Sequence, residues 1–185
     1  MRKIVIIGGS AGSFQIVTQI LGSLPTNYPF PVVLALHRLK HVRHGFVEAL
    51  SIKSKLPVKE PFDKESIKAG NVYLAPANYH LMVDVAHTFS LSTEDQVQHS
   101  RPSIDVTFAT AAFAYRQKTI GVILSGANRD GAYGIKKIKE YGGVALVQDP
   151  ETCQIQTMTQ AAITETSVDY ILDVNGIIKY LVEIA

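Results

Sequence analysis

The sequence predicts an α/β protein: a doubly wound, three-layer sandwich around a mostly parallel sheet, with a small antiparallel hairpin. Two observations carry this. Short β-branched runs such as Ile4-Val5-Ile6-Ile7 and Pro31-Val-Val-Leu-Ala-Leu36 are apolar at every position rather than alternating, as in strands covered on both faces. These runs alternate along the chain with segments of helical periodicity, the order that builds parallel sheets through crossover helices.

Each element has its own signal. Phe14, Val17, Ile20, Leu21 and Leu24 recur at helical spacing after the first strand, and Pro25 stops that helix. A helix is expected from about His44 to Ser54. Val58 opens a short strand, and Asn71-Val-Tyr-Leu-Ala75 makes another, ended by Pro76. Leu81–Asp84 and Thr88–Leu91 pair as the hairpin. Pro102 and Ser103 lead into a helix reaching Tyr115, and Thr119-Ile-Gly-Val-Ile-Leu124 is a strand. The segment from Ala132 to Tyr141 is helical, with Gly142-Gly143 as its stop. A strand over Val144–Val147 and helices over Met158–Glu165 and Gly176–Ile184 complete the chain.

At 185 residues the chain reads as one domain, residues 1–185. Hydrophobic residues make up 46% and charged residues 18%, enough apolar material for a buried core and too little charge for a disordered chain. A net charge of +2 without a basic stripe argues against nucleic acid as a partner. The cluster Lys53, Lys55 and Lys59 reads as solvated surface. The single cysteine, Cys153, excludes an internal disulfide and fits a reducing compartment. No apolar stretch approaches the ~20 residues of a bilayer span, and Ile4–Ile7 is too short for a signal-peptide core, so the expected location is the cytoplasm.

Ligands of open α/β sheets bind beyond the carboxyl ends of the strands. Three reactive side chains fall there. Ser10 follows the first strand in Ile7-Gly8-Gly9-Ser10-Ala11-Gly12-Ser13, near a helix start whose free N–H groups favour a developing negative charge. Its plain alternative is that Ser10 or Ser13 caps the helix. His37 closes the second strand, well placed for a general base, or simply the point where the strand meets water. The other histidines, at 41, 44, 80, 87 and 99, fall in loops or helix starts and are less well placed. Asp130, in Ser125-Gly126-Ala127-Asn128-Arg129-Asp130-Gly131, is suited to orient an imidazole, or to cap the next helix. All three belong on one rim of the sheet. Cys153 has no base beside it, and Met158 reads as core.

Four stretches in this order resemble the catalytic domain of the chemotaxis protein-glutamate methylesterases (the CheB type). They are IGGSAGS around Ser10, LALHRL around His37, APANYHL followed by HSRPSIDVTF, and ILSGANRDGAYG with ALVQDPETC behind it. The resemblance covers nearly the whole chain. It implies Ser10 as nucleophile, His37 as base and Asp130 as the third triad member. The backbone N–H groups of Ala127 and Ala11 would form the oxyanion hole. The implied reaction is hydrolysis of glutamyl methyl esters on methyl-accepting chemoreceptors, with deamidation of glutamine known among relatives, and it implies no metal or organic cofactor. The substrate would then be a helix of a chemoreceptor's cytoplasmic part, and Arg101 and Tyr79 are the candidate groove-wall residues. Their bland readings are a surface ion pair and a loop anchor.

The chain departs from the family at Gly12-Ser13, at Leu36 and Arg38 around His37, at Ala127 where methionine is usual, and at Met158-Thr159 where Met-Pro is usual. The family's N-terminal receiver domain is not expected here, which makes a separate receiver or other regulator the partner to look for. Three other readings stand beside this one. A nucleotide-binding protein would want G-x-G-x-x-G or a Walker lysine, and neither is present. A non-catalytic module that kept the fold is the second. The third is an esterase acting on small molecules or on receptors outside chemotaxis.

Overall fold

The computed structural model describes residues 3–38 and 45–185. Seven strands form one sheet: β1 (Ile4–Gly9), β2 (Val32–Leu36), β3 (Val58–Lys59), β4 (Val72–Leu74), β7 (Thr119–Ile123), β8 (Val144–Gln148) and β9 (Tyr170–Leu172). Their order is β3-β4-β2-β1-β7-β8-β9, and every pairing is parallel. The two remaining strands, β5 (His80–Val83) and β6 (Phe89–Ser92), pair antiparallel in their own small sheet.

The continuous apolar runs have the meaning the sequence suggested. In β1, Ile4 and Ile6 enter one core while Val5 and Ile7 enter the other, and none is exposed. On the Ile4 side lie α3 (Ile104–Tyr115), α4 (Ala132–Glu140), α5 (Thr157–Glu165) and the hairpin, through Phe108, Ile135, Met158 and Phe89. On the Val5 side lie α1 (Phe14–Ser23), α2 (Phe46–Lys53) and α6 (Val174–Glu183), through Val17, Leu50 and Ile177. Burial of each such aliphatic side chain contributes ~1.5–3 kcal/mol. The three-layer, doubly wound expectation therefore holds.

The hairpin packs under α3, where the Thr107 hydroxyl donates to the Leu81 carbonyl (2.8 Å) and Thr110 Oγ1 accepts from Val83 N (3.1 Å). Its outer edge is occupied by the preceding loop, since Phe89 N donates to Glu65 O and Ile67 N to His87 O.

Three details differ from the sequence reading. The expected helix from His44 begins at Phe46 within the described residues and has Gly45 as its cap, whereas His44 itself lies outside them. The last helix starts at Val174, two residues early, because the Asp173 side chain accepts from Gly176 N and caps it. The edge strand β9 was not foreseen: it is three residues long, and Tyr170 and Ile171 are about half exposed.

Candidate active site

Strand order reverses at β1, which has β2 on one side and β7 on the other. The segments leaving these three strands carry Ser10, His37 and Asp130. The backbone knits them together: Ser10 N donates to Ser125 O (2.9 Å), His37 N to Gly9 O (3.1 Å) and Leu124 N to Gly8 O (2.9 Å). Ser10 and His37 line one cleft of ≈ 380 Å³ together with Ala11, Gln96, His99, Ser100 and Arg101.

His37 Nε2 lies 2.7 Å from Asp130 Oδ2. With that ring proton directed at the carboxylate, Nδ1 is the nitrogen left to accept, and it looks toward Ser100 Oγ at 3.5 Å. The imidazole is mostly covered and the carboxylate completely so. Among the described residues Ser10 Oγ makes no side-chain hydrogen bond. Serine and imidazole share the cleft without a bond between them.

Asp130 has a full set of partners. Its Oδ1 accepts from the Ser103 hydroxyl and from Asp105 N (both 2.9 Å), and its Oδ2 accepts from Ile104 N (2.7 Å) beside His37. The carboxylate thus sits on the N-terminus of α3, where unpaired N–H groups and the helix dipole favour negative charge. The capping role is real, but the helix capped is α3 rather than the following one. That following helix, α4, is capped by Asp105, whose Oδ1 accepts from Gly131 N (2.8 Å) and Gly134 N (2.7 Å). Each aspartate caps the helix that the other leads into. Burial, with Asp130 as a like charge beside it, lifts the Asp105 pKa to about 6 against the donated N–H groups.

The turn carrying Ser10 is held as firmly. Ser13 occupies the helix-cap position, yet its hydroxyl donates back to Ser10 O (2.6 Å) instead of accepting from the helix. Gly12 has φ +83°, and a Cβ there would stand 2.8 Å from Gln154 Cβ and 2.9 Å from Ser125 Oγ, so a side chain is excluded twice over. Among the described residues the N–H groups of Ala11 and Ala127 donate to no protein acceptor, and both residues are exposed.

The other candidates divide. Arg101 lines the Ser10 cleft, and its guanidinium is fixed by the carbonyls of Thr93 (2.6 Å) and Glu94 (2.9 Å) rather than by an ion pair. Tyr79 lines a neighbouring cavity of ≈ 450 Å³, which Arg101 also borders. Arg38 turns inward: its side chain is 1% exposed and reaches Glu60 (2.6 Å) and the Ala75 carbonyl (2.9 Å) with Phe46 below it. Met158 is fully buried against Gly126, and burial pushes the Cys153 thiol up, away from nucleophile character.

Sequence reasoning underrated two histidines. His99 lines the cleft, and His80 is buried in β5, where its Nδ1 accepts from Ser103 N (3.2 Å). It missed Asp105 altogether, although Ser103 followed by an acidic residue in the first helical turn was a readable capping signal. His41 and His44 lie outside the described residues.

These features define a class first: an α/β protein with a serine and an aspartate-bonded histidine gathered at the carboxyl edge of a parallel sheet. The particular family follows from comparison with known proteins. A family model described as CheB methylesterase matches residues 5–181. A Leptospira interrogans relative is 46% identical over 180 residues, covering 97% of this chain and 93% of that protein. The Thermotoga maritima protein-glutamate methylesterase/protein-glutamine glutaminase is 38% identical over 98% of this chain and 54% of its own length. The crystal structure of the Thermotoga maritima CheB methylesterase catalytic domain superimposes with a TM-score of 0.95 at 37% identity, covering all of both chains. The chain belongs to the CheB methylesterase family.

Proposed function

We propose that this chain hydrolyses γ-glutamyl methyl esters on the cytoplasmic helices of methylated chemoreceptors, with Ser10, His37 and Asp130 as its catalytic triad. The observation that carries the assignment is the 2.7 Å bond from His37 Nε2 to the buried Asp130, the histidine lining the same cleft as Ser10. It leaves Nδ1 as the base. Nδ1 takes the Ser10 proton as Oγ attacks the ester carbonyl carbon. The oxyanion that forms is received by the N–H groups of Ala11 and Ala127, each such donor being worth ~10²–10³ in turnover. The intermediate collapses as Nδ1 returns the proton to the methoxy oxygen, and methanol leaves. Water, deprotonated at Nδ1, then attacks the acyl carbon. The bond to Ser10 Oγ breaks as Nδ1 passes that proton to Oγ, and the product leaves as a glutamate carboxylate with its acid proton lost to solvent. The same acyl step on a glutamine amide would release ammonia. Ala127 in place of methionine costs nothing in this scheme, because the donor is backbone.

Arg101 is the proposed contact to the substrate helix at the cleft wall, and Tyr79 its continuation in the adjoining cavity. The reaction draws on no metal or organic cofactor. A receiver domain or another regulator is the proposed regulatory partner, and the domain assigned to residues 1–185 is the catalytic one.

The test is methanol release from a methylated chemoreceptor cytoplasmic fragment, together with labelling by a fluorophosphonate probe, in wild type and Ser10→Ala. Both signals are expected in wild type and neither in the variant. Release that survives in Ser10→Ala overturns the triad. Labelling of wild type without methanol release turns the reading toward another ester, and absence of both toward a non-catalytic module.

A further inference from the structure

Ser125 is a completely buried polar residue at the carboxyl end of β7, directly across from the Ser10 turn. Its groups are all engaged at once. The backbone carbonyl accepts from Ser10 N (2.9 Å). The hydroxyl is 2.9 Å from the Ala11 carbonyl and 3.1 Å from the Ile155 carbonyl, and it accepts from Ile155 N (3.0 Å). The backbone N–H donates to Gln148 Oε1 (3.0 Å), a fully buried side chain at the end of β8 whose amide is tied in turn to Thr152.

On the Ser10 side, three of the groups around the nucleophile are thereby fixed. Ser10 N is held by the Ser125 backbone, Ser10 O by Ser13 (3.0 Å from its N–H, 2.6 Å from its hydroxyl), and Ala11 O by the Ser125 hydroxyl. The Ala11 N–H shares one planar peptide unit with the held Ser10 carbonyl, points the opposite way, and is left without a protein acceptor among the described residues. That peptide unit is held at its own carbonyl by Ser13, and the units before and after it are held by the Ser125 carbonyl and hydroxyl, so its N–H has little freedom to rotate. Donors that need no reorganisation are what stabilise a developing oxyanion.

We infer that Ser125 is a positioning residue for ester hydrolysis: its hydroxyl clamps the Ala11 carbonyl, fixing the peptide unit that follows Ser10–Ala11, and so keeps the Ala11 N–H from turning away from the reacting centre. The inference rests on the reading of Ser10 as nucleophile. It assigns Ser125 no contact with substrate, so its loss acts on turnover and leaves ground-state binding alone.

The experiment compares wild type, Ser125→Ala, Ser125→Thr and Ser125→Cys by the second-order rate of fluorophosphonate labelling at Ser10, by kcat and KM for methanol release, and by melting temperature. Ser125→Ala is expected to lower labelling rate and kcat by about ten- to a hundredfold with KM unchanged, somewhat less than deleting a donor outright. Ser125→Thr keeps the hydroxyl and restores both to within about threefold. Should the alanine variant not fold, Ser125→Cys keeps the volume with a weak donor, and its labelling rate is expected to fall between wild type and the alanine range. A folded Ser125→Ala or Ser125→Cys labelled at the wild-type rate overturns the inference, as does a loss confined to KM. Labelling needs no methyl ester. A slowed, threonine-rescued labelling rate therefore supports the role of Ser125 even if methanol release fails, whereas a wild type that is never labelled removes this inference and the nucleophile together.

Discussion

Two aspartates meet under the candidate site, and their carboxylates are unequal partners. Asp130 has donors on both oxygens, whereas among the described residues Asp105 accepts through Oδ1 alone and is buried beside a like charge. Its folded pKa of about 6 lies above the 3.8 of the unfolded chain, so the folded protein binds the extra proton between those values. The sign follows: Asp105 costs no stability below its unfolded pKa, and the penalty grows as pH rises, reaching its full size above about 6. Asp105→Asn keeps the acceptor for Gly131 and Gly134 and removes the charge. Its melting temperature is expected to exceed that of wild type at pH 7, with the difference vanishing toward pH 4. A difference that is constant with pH, or larger in acid, would show the attribution to be wrong. Asp105→Ala loses the cap and should fall below wild type throughout, by about 1 kcal/mol.

At the scale of elements, what was legible followed period and punctuation. Strands β1, β2, β7 and β8 are buried on both faces, so their runs had no polar interruption to confuse with a helix. Edge strand β9 failed that test, since Tyr170 and Ile171 face solvent and its pairing depends on β8, far away in sequence. The rim position of Ser10, His37 and Asp130 was legible because each stands just past a strand. The partners of Asp130 were not, because α3 approaches from a segment some 25 residues earlier (Asp105 N to Asp130 Oδ1), and no local pattern reports which helix end arrives. The α3–α4 junction has one vulnerable hinge. Gly131 has φ +102°, and a Cβ there would lie 2.6 Å from Ile123 Cδ1 and 2.9 Å from Ile104 Cγ2. Gly131→Ala is expected to destabilise by ~1–3 kcal/mol through strain, read as a lower urea midpoint at unchanged slope. A midpoint equal to that of wild type would mean the junction relaxes freely.

Over the whole molecule, one sheet divides two cores, and its central strand serves both. Ile6 is fully buried among α3, α4 and the hairpin on one side, while its neighbours Val5 and Ile7 hold the other. Ile6→Ala should cost ~2–5 kcal/mol, and fluorescence and circular dichroism should lose signal in a single coincident transition. Two separated transitions would mean that the layers are independent. The same central position explains why the reactive groups converge. β1 is where winding changes direction, leaving a gap between diverging connections, and the described residues there include no helix covering the cleft. Within the described residues no helix is long and apolar enough to cross a membrane.

The crossed caps of α3 and α4 behave like a mortised joint. Sliding either helix along its axis withdraws a carboxylate from the other's end and exposes two buried peptide N–H groups, each costing ~1–3 kcal/mol unpaired. The support beneath His37 is therefore locked without any covalent cross-link. The orientation of the His37 ring is settled once, when the chain folds, by the same bonds that join the two helices.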